Sequence, residues 1–294
     1  MASRFENLVC TGGSGRLGRH VVALLRASCR VTVLDAVPPD GPDAFVKADV
    51  TDVGALRRAF AGQDAVIHLA AIPNPRTAPP EVTFRTNVEG TFAVLQAAEE
   101  AGVRRVVVAS SDSVVGFHYN PPDWKPRYLP IDEIHPLGPT EFYSLSKQVT
   151  EIICRSYAQL ERLEVVVIRP THIVFPPEYP ELEARGSDLM NYHLWTYVAP
   201  EDVARAFELA LALRDVRYEC FFISAADGLN TRPTLELVRE RYGFLPEIRR
   251  PELYERQPTA SVLDGSRARE VLGFEPARGW RDMLAVAPTS AAEA

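Results

Sequence analysis

The feature that most constrains this chain is the segment Thr11-Gly-Gly-Ser-Gly-Arg-Leu-Gly18, set between a β-branched run, Asn7–Thr11, and a helical pattern over 17–28. Leu17, Val21, Leu24 and Leu25 share one face of that helix, and a second strand-like run, Arg30–Asp35, follows, so the first 35 residues read as one βαβ unit. Its glycines space as Gly12, Gly15, Gly18 or as Gly13, Gly15, Gly18. At such a turn they permit a tight bend, close phosphate approach and close helix packing, while backbone N–H groups and the positive helix end face an anion.

The alternation continues. A helical turn at 56–60, a strand at 65–71, a helix at 80–102 closed by Gly102, and a strand at 104–110 precede a helix at 141–159 and a strand at 164–174. Runs such as VVVAS and EVVVIRP are apolar at successive positions, as strands covered on both faces require. The fold expected is α/β, a doubly wound parallel sheet with a small C-terminal substrate-binding region. Residues 1–170 form the dinucleotide-binding part and 171–294 the substrate-binding part, with 198–226 returning to the sheet. Two stretches, 117–142 and 175–195, break the pattern with prolines and aromatics and read as long loops at the sheet's carboxyl edge. A helix opened by Pro200, a strand at 219–224 and short helices at 235–242 and 266–272 lead to a tail, APTSAAEA, that reads as frayed.

Composition narrows the partners. Lys plus Arg number 32 against 39 Asp plus Glu, a net charge of -7, which offers no footprint for a phosphate backbone or an anionic membrane. No apolar run approaches the length of a spanning helix, and MASRFENLVC carries no leader pattern. Cys10, Cys29, Cys154 and Cys220 form no CxxC pair. A cytoplasmic enzyme of a small molecule is expected. The histidines show no paired metal-ligand spacing, so no metal site is expected.

Asp35 closes the second strand where an acid accepts hydrogen bonds from the adenosine ribose and repels a 2′-phosphate, which points to NAD. Tyr143 and Lys147 stand one turn apart on one helix face, a spacing that lets an ammonium bring a phenol's pKa toward neutrality. Ser110-Ser111-Asp112 ends a strand at the edge where open α/β sheets bind ligands.

In order along the chain, TGGSGRLG at 11–18, Asp35, ADVTD at 48–52, HLAA at 68–71, TNVEGT at 86–91, SSDSVVG at 110–116, YSLSK at 143–147 and IRP at 168–170 resemble the extended short-chain dehydrogenase/reductases, the NAD-dependent epimerase/dehydratase family. The resemblance covers nearly the whole chain. It implies NAD held by Gly12, Gly15, Arg16, Leu17 and Gly18, Asp35 on the ribose, and Asp49 and Val50 by the adenine. It also implies Leu69 and Ala70 by the ribose, Asn87 beneath the sheet, and Lys147 and Pro170 at the nicotinamide end. Ser111, Tyr143 and Lys147 are the implied catalytic triad, Ser111 being selected by counting back from Gly116. Tyr143 would take the hydroxyl proton, Ser111 would bond the same oxygen, and Lys147 would hold the nicotinamide ribose. A homodimer through the helices near 80–102 and 141–160 is implied as well.

Within the family, dehydratases carry Asp-Glu after the catalytic hydroxyl, and here Asp112-Ser113 stands instead, which disfavours water elimination. Only about thirty residues separate Pro170 from Pro200, too few for a long nucleotide clamp, so a small sugar, sugar acid or polyol is expected, with nucleotide-sugar 4-epimerisation as the alternative. VVVASSDSVVGFHY resembles uronate dehydrogenases, compact members that oxidise a free sugar acid. Their carboxylate-clamping arginine is replaced here by Tyr192 or His193, and Arg185 could take its place by a different loop path. His172, Ser111, Asp112 and Arg185 are the substrate-binding candidates. Phe142, Ser144 and Val115 depart from the family around the expected pocket, and Trp124 and Tyr128 are candidates for a lid.

Overall fold

The computed structural model describes residues 4–121 and 123–286; the tail expected to fray, 287–294, lies outside them. The βαβ unit forms as β1 (Asn7–Thr11), α1 (Arg16–Leu25) and β2 (Arg30–Asp35). There follow β3 (Ala44–Lys47), α2 (Val53–Phe60), β4 (Ala65–His68), α3 (Pro80–Phe84), α4 (Gly90–Glu100), β5 (Arg105–Ala109), β6 (Tyr128–Leu129), α5 (Phe142–Gln159) and β7 (Glu164–Pro170). The remainder is α6 (Leu182–Ser187), α7 (Pro200–Ala212), β8 (Tyr218–Ile223), α8 (Thr234–Tyr242), β9 (Glu247–Ile248), α9 (Pro251–Arg256) and α10 (Trp280–Ala285).

Seven strands pair in parallel in the order β3-β2-β1-β4-β5-β7-β8, a doubly wound Rossmann-type sheet. Cys10 of β1 faces Val33 on one side and Ile67 on the other, so the strand order reverses at β1/β4, and a crevice opens past their carboxyl ends. Helices cover both faces. Val21, Val22 and Leu25 of α1 meet Phe207, Ala210 and Leu211 of α7 in one apolar core, and Leu56, Phe60, Val94, Ala98 and Cys154 build the other. Successive residues Val106, Val107 and Val108 are all fully buried, each contributing to one core or the other. A third core, beyond the sheet's carboxyl edge, gathers Tyr179, Trp195, Tyr197, Leu237 and Met283.

Several boundaries differ from the sequence reading. The helix expected over 80–102 is two helices joined by one wide π-type turn, Arg85–Glu89, and ends at Glu100. The strands expected at 65–71 and 164–174 stop at His68 and Pro170, where the chain leaves the sheet toward the crevice. The stretch 175–195 is not wholly irregular: Pro176 and Pro177 open a 3₁₀ turn, Pro176–Glu181, that runs into α6. β3 is an edge strand of exposed and half-buried residues, without the apolar run that announces a covered strand. No described helix is long and apolar enough to cross a membrane.

Candidate active site

The glycine turn is shaped by what its neighbours leave no room for. Gly12 adopts φ +73°, and a Cβ there would lie 2.5 Å from Ala70 N; a Cβ on Gly18 would strike the Gly12 carbonyl. Gly15 precedes α1 and caps it with no side chain, so the first-turn amides stay open to an anion at the positive helix end. Gly12, Gly15, Arg16, Leu17, Gly18 and Leu69 line a cleft of about 1030 Å³. These residues fit a dinucleotide pyrophosphate: a close, side-chain-free backbone beside free helix amides.

The adenosine candidates lie off this cleft wall. Asp35 accepts from Ser14 N (3.1 Å) and Val37 N (3.3 Å) at the end of β2. Asp49 accepts from the Thr51 hydroxyl (2.7 Å) and amide (2.8 Å), which hold its carboxyl below the usual range. Val50 is buried against Gly90, and Ala70 backs Gly12. Asn87, in the wide turn, accepts from Ile72 N (2.8 Å) and donates to Ile72 O (3.1 Å) and Ser146 Oγ (2.9 Å), tying the loop after β4 to α5. Arg16 does not extend toward a phosphate. Its guanidinium lies 4.0 Å from the Phe175 ring and donates to Glu178 at 2.9 Å.

Farther along the same cleft stand Ser111, Tyr143, Lys147 and Pro170. Glu141 caps α5, accepting from Tyr143 N and Ser144 N at 2.6 Å each, and so fixes Tyr143 in the first turn. Lys147, one turn on, donates to Ala109 O (2.9 Å), and its Nζ lies 6.0 Å from the Tyr143 ring centroid. Tyr143 and Ser111 line the cleft together, and the Ser111 hydroxyl accepts from Ser113 N at 3.1 Å. The neighbouring Ser110 points away, donating to Glu151 at 2.6 Å. Burial pushes the Lys147 ammonium down to about 8. Burial also raises the Tyr143 phenol above its ordinary value and outweighs the lowering influence of the Ser111 hydroxyl, contrary to the lowering expected from Lys147.

The outer wall comes from the two loop regions. Asp112 is 1% exposed; its Oδ1 accepts from Ser111 Oγ (3.3 Å) and lies 3.3 Å from His118 Nε2. His118 packs against His193 at 5.0 Å between ring centroids, and His193 against His172 at 4.4 Å. Burial drives the His193 imidazole well below its ordinary range. His172, Arg185 and Tyr192 also line the cleft, and Tyr192 stacks on Tyr119. Arg185, the alternative carboxylate clamp, is already engaged by Glu178 (2.9 Å) and Glu181 (2.6 Å). The expected lid aromatics are packing residues. Trp124 donates to Val115 O (3.1 Å) against Phe117, and Tyr128 is buried under Arg249 with its hydroxyl on Asp132. Among the described residues no group of His, Cys, Asp or Glu is placed to hold a metal ion. Glu178, His118 and the Arg169–Glu151 pair behind Ser110 were not singled out from the sequence, although Glu151 continues the Tyr143–Lys147 spacing by one further turn.

Residues 8–217 match the NAD-dependent epimerase/dehydratase family. The L-arabinose 1-dehydrogenase (NAD(P)+) of Haloferax volcanii is 30% identical over 227 residues, spanning 75% of this chain and 89% of that one. The uronate dehydrogenase of Pseudomonas syringae pv. tomato is 30% identical over 217 residues, 72% of each chain. Among solved structures, a short-chain dehydrogenase/reductase superfamily protein from Agrobacterium tumefaciens with bound NAD superposes with a TM-score of 0.73 at 26% identity, covering 95% of both chains.

Proposed function

The chain belongs to the NAD-dependent epimerase/dehydratase family, with NAD as its cofactor, and from that premise we propose that it oxidises a small sugar, sugar acid or polyol at a secondary alcohol or hemiacetal carbon. The observation that carries this reading is one cleft lined by the glycine turn, Ser111, Tyr143 and Lys147 together. Residues 1–170 would hold the dinucleotide and 171–294 would shape the substrate side.

Bound NAD supplies the hydride acceptor. Tyr143 accepts the proton of the substrate hydroxyl, and Ser111, which lines the same cleft, steadies that oxygen as charge develops on it. Lys147, anchored to Ala109 O at the floor, supplies the donor for the nicotinamide ribose and, once solvent is displaced, the positive charge that favours the phenolate. Asp35 would turn from Ser14 and Val37 to the adenosine ribose, with Asp49 and Val50 by the adenine. Ser113, where a dehydratase has its second acid, supplies a hydroxyl and no carboxylate, so the product keeps its oxygens.

The exposed apolar residues Phe84 and Phe92, from α3 and α4, and Leu145 and Ile152, from α5, support pairing of two chains through these helices. The functional test is incubation with NAD and a panel of free sugars, sugar acids, polyols and nucleotide sugars, read by the absorbance of reduced coenzyme and by sugar analysis. Net reduction of NAD by a free sugar supports the oxidoreductase. Interconversion of nucleotide sugars without accumulated reduced coenzyme would replace it with the epimerase.

A further inference from the structure

On the substrate side, Arg16, Arg185 and His172 all meet one carboxylate of the chain, Glu178. Glu178 Oε1 accepts from Arg16 at 2.9 Å; its Oε2 accepts from Arg185 at 2.9 Å and lies 2.9 Å from His172 Nε2. The remaining nitrogens of Arg185 donate to Glu181 at 3.1 and 2.6 Å. Burial pushes the Glu178 carboxyl up, yet the hydrogen bonds and charge of His172, Arg185 and Arg16 outweigh it and hold the group at about 2, ionised at any working pH. The other cations lining the cleft are Lys147, bonded to Ala109 O at the floor, and Arg76, exposed at the mouth over the Tyr119 ring.

The deeper wall carries the complementary feature. Asp112 Oδ2, Ser113 Oγ, Thr171 Oγ1 and the Nδ1 atoms of His118 and His193 belong to cleft-lining residues, and each is buried without a hydrogen-bond partner. These are two hydroxyls, two imidazole nitrogens and a carboxylate oxygen, a set that pairs with sugar hydroxyls and contains no guanidinium or ammonium to balance a second carboxylate.

We propose that Glu178 is a specificity residue that closes this cleft to sugar acids and sugar phosphates, so that the substrate is an uncharged sugar or polyol. A carboxylate entering beside His172 would displace Glu178 from His172 and Arg185 or stand unbalanced against its charge; a hydroxymethyl group or a hydrogen at that place meets neither penalty. The inference rests on the oxidoreductase reading above and adds the charge of the substrate to it.

Matched pairs that differ only in this group test it: D-galactose with D-galacturonate, and D-glucose with D-glucuronate and D-glucose 6-phosphate. With NAD, the wild-type protein should show kcat/KM for the neutral member about tenfold or more above its acid or phosphate. Glu178→Gln removes the negative charge beside Arg185 and His172 and should narrow that ratio by about tenfold, mainly through a lower KM for the acid, while Glu178→Asp keeps the wild-type order. A wild-type preference for acid or phosphate overturns the proposal, as does an unchanged ratio in a Glu178→Gln protein that still binds NAD. Should that variant fail to fold, the wild-type ratios decide alone. Should no sugar reduce NAD although NAD binds, the oxidoreductase reading fails separately. Calorimetric binding of galactose and galacturonate to the NAD complex then decides the Glu178 proposal, tighter acid binding overturning it and tighter neutral binding sustaining it.

Discussion

Arg169 on β7 and Glu151 on α5 form a bidentate ion pair behind the candidate catalytic residues, with Nη2–Oε2 at 2.6 Å and Nε–Oε1 at 2.8 Å and side-chain exposures of 2% and 4%. Ser110 adds a third donor to the same carboxylate, so β5, β7 and α5 are locked together one residue from Ser111 and one helical turn from Lys147. Removing one partner strands a buried charge. Glu151→Ala should therefore lower unfolding free energy by about 3–5 kcal/mol. Urea unfolding checks it, and a loss below about 1 kcal/mol would mean that water reaches Arg169.

The two adjacent serines separate structure from chemistry. Ser110→Ala takes one donor from Glu151 and should cost about 1–3 kcal/mol of stability with kcat little changed. Ser111→Ala takes the cleft-lining hydroxyl and should lower kcat about 10²-fold or more, and Tyr143→Phe further still; because the Ser111 hydroxyl also accepts from Ser113 N, its removal costs about 1 kcal/mol of stability as well. Steady-state rates beside melting curves of the variants test this. The reverse assignment would follow if Ser110→Ala were the inactive one.

Gly12→Ala places a Cβ 2.5 Å from Ala70 N in a residue at φ +73°. Neither the backbone angle nor the neighbouring strand end can yield cheaply, so the turn must deform. NAD affinity should fall about tenfold or more, while Gly62→Ala, at the same φ of +73° but with open space around it, should leave NAD affinity unchanged. Coenzyme titration by calorimetry compares the two.

What the sequence made legible is what repeats locally. The glycine turn between strand and helix, the buried valine runs and the Tyr143–Lys147 spacing each lie within one or two elements, and the structure forms those elements. What stayed hidden depends on closure in space. Glu151 acquires its meaning only when Arg169, eighteen residues on, arrives from a neighbouring strand. Glu178 sits in a proline-rich stretch that reads as coil, although Pro176 and Pro177 are what start its helical turn, and its partner Arg16 lies 162 residues earlier. Trp124 and Tyr128 read as lid aromatics because exposure cannot be seen in a loop sequence; Trp124 packs against the third core, and Tyr128 is buried beneath Arg249.

Lys147 gives the apo protein a pH signature. Burial brings its ammonium from 10.5 down to about 8, so between those values the unfolded chain holds more protons than the folded one. Stability contributed by this group therefore rises with pH across the window, and the full penalty is felt below about 8. Lys147→Met should remove a penalty of about 3 kcal/mol and give up a hydrogen bond of about 1 kcal/mol. The variant should thus be more stable than wild type near neutral pH and lose that advantage near pH 10, with turnover abolished. Urea unfolding of both proteins at the two pH values tests the sign.

The helix faces of α4 and α5 give the last expectation. Phe92 is 49% exposed and Ile152 62%, and the Phe92 ring meets Tyr157 edge-on at 5.9 Å, so an apolar surface crosses from one helix to the other without a cover in the single chain. Single exposed apolar residues are ordinary, but a contiguous set on two adjacent helices marks an interface. Pairing two chains about a twofold axis would bury this surface against itself. Sedimentation should then find a dimer for the wild-type protein and a monomer for Ile152→Asp, the variant retaining its fold because the site is on the surface. A wild-type monomer at micromolar concentration would remove the pairing.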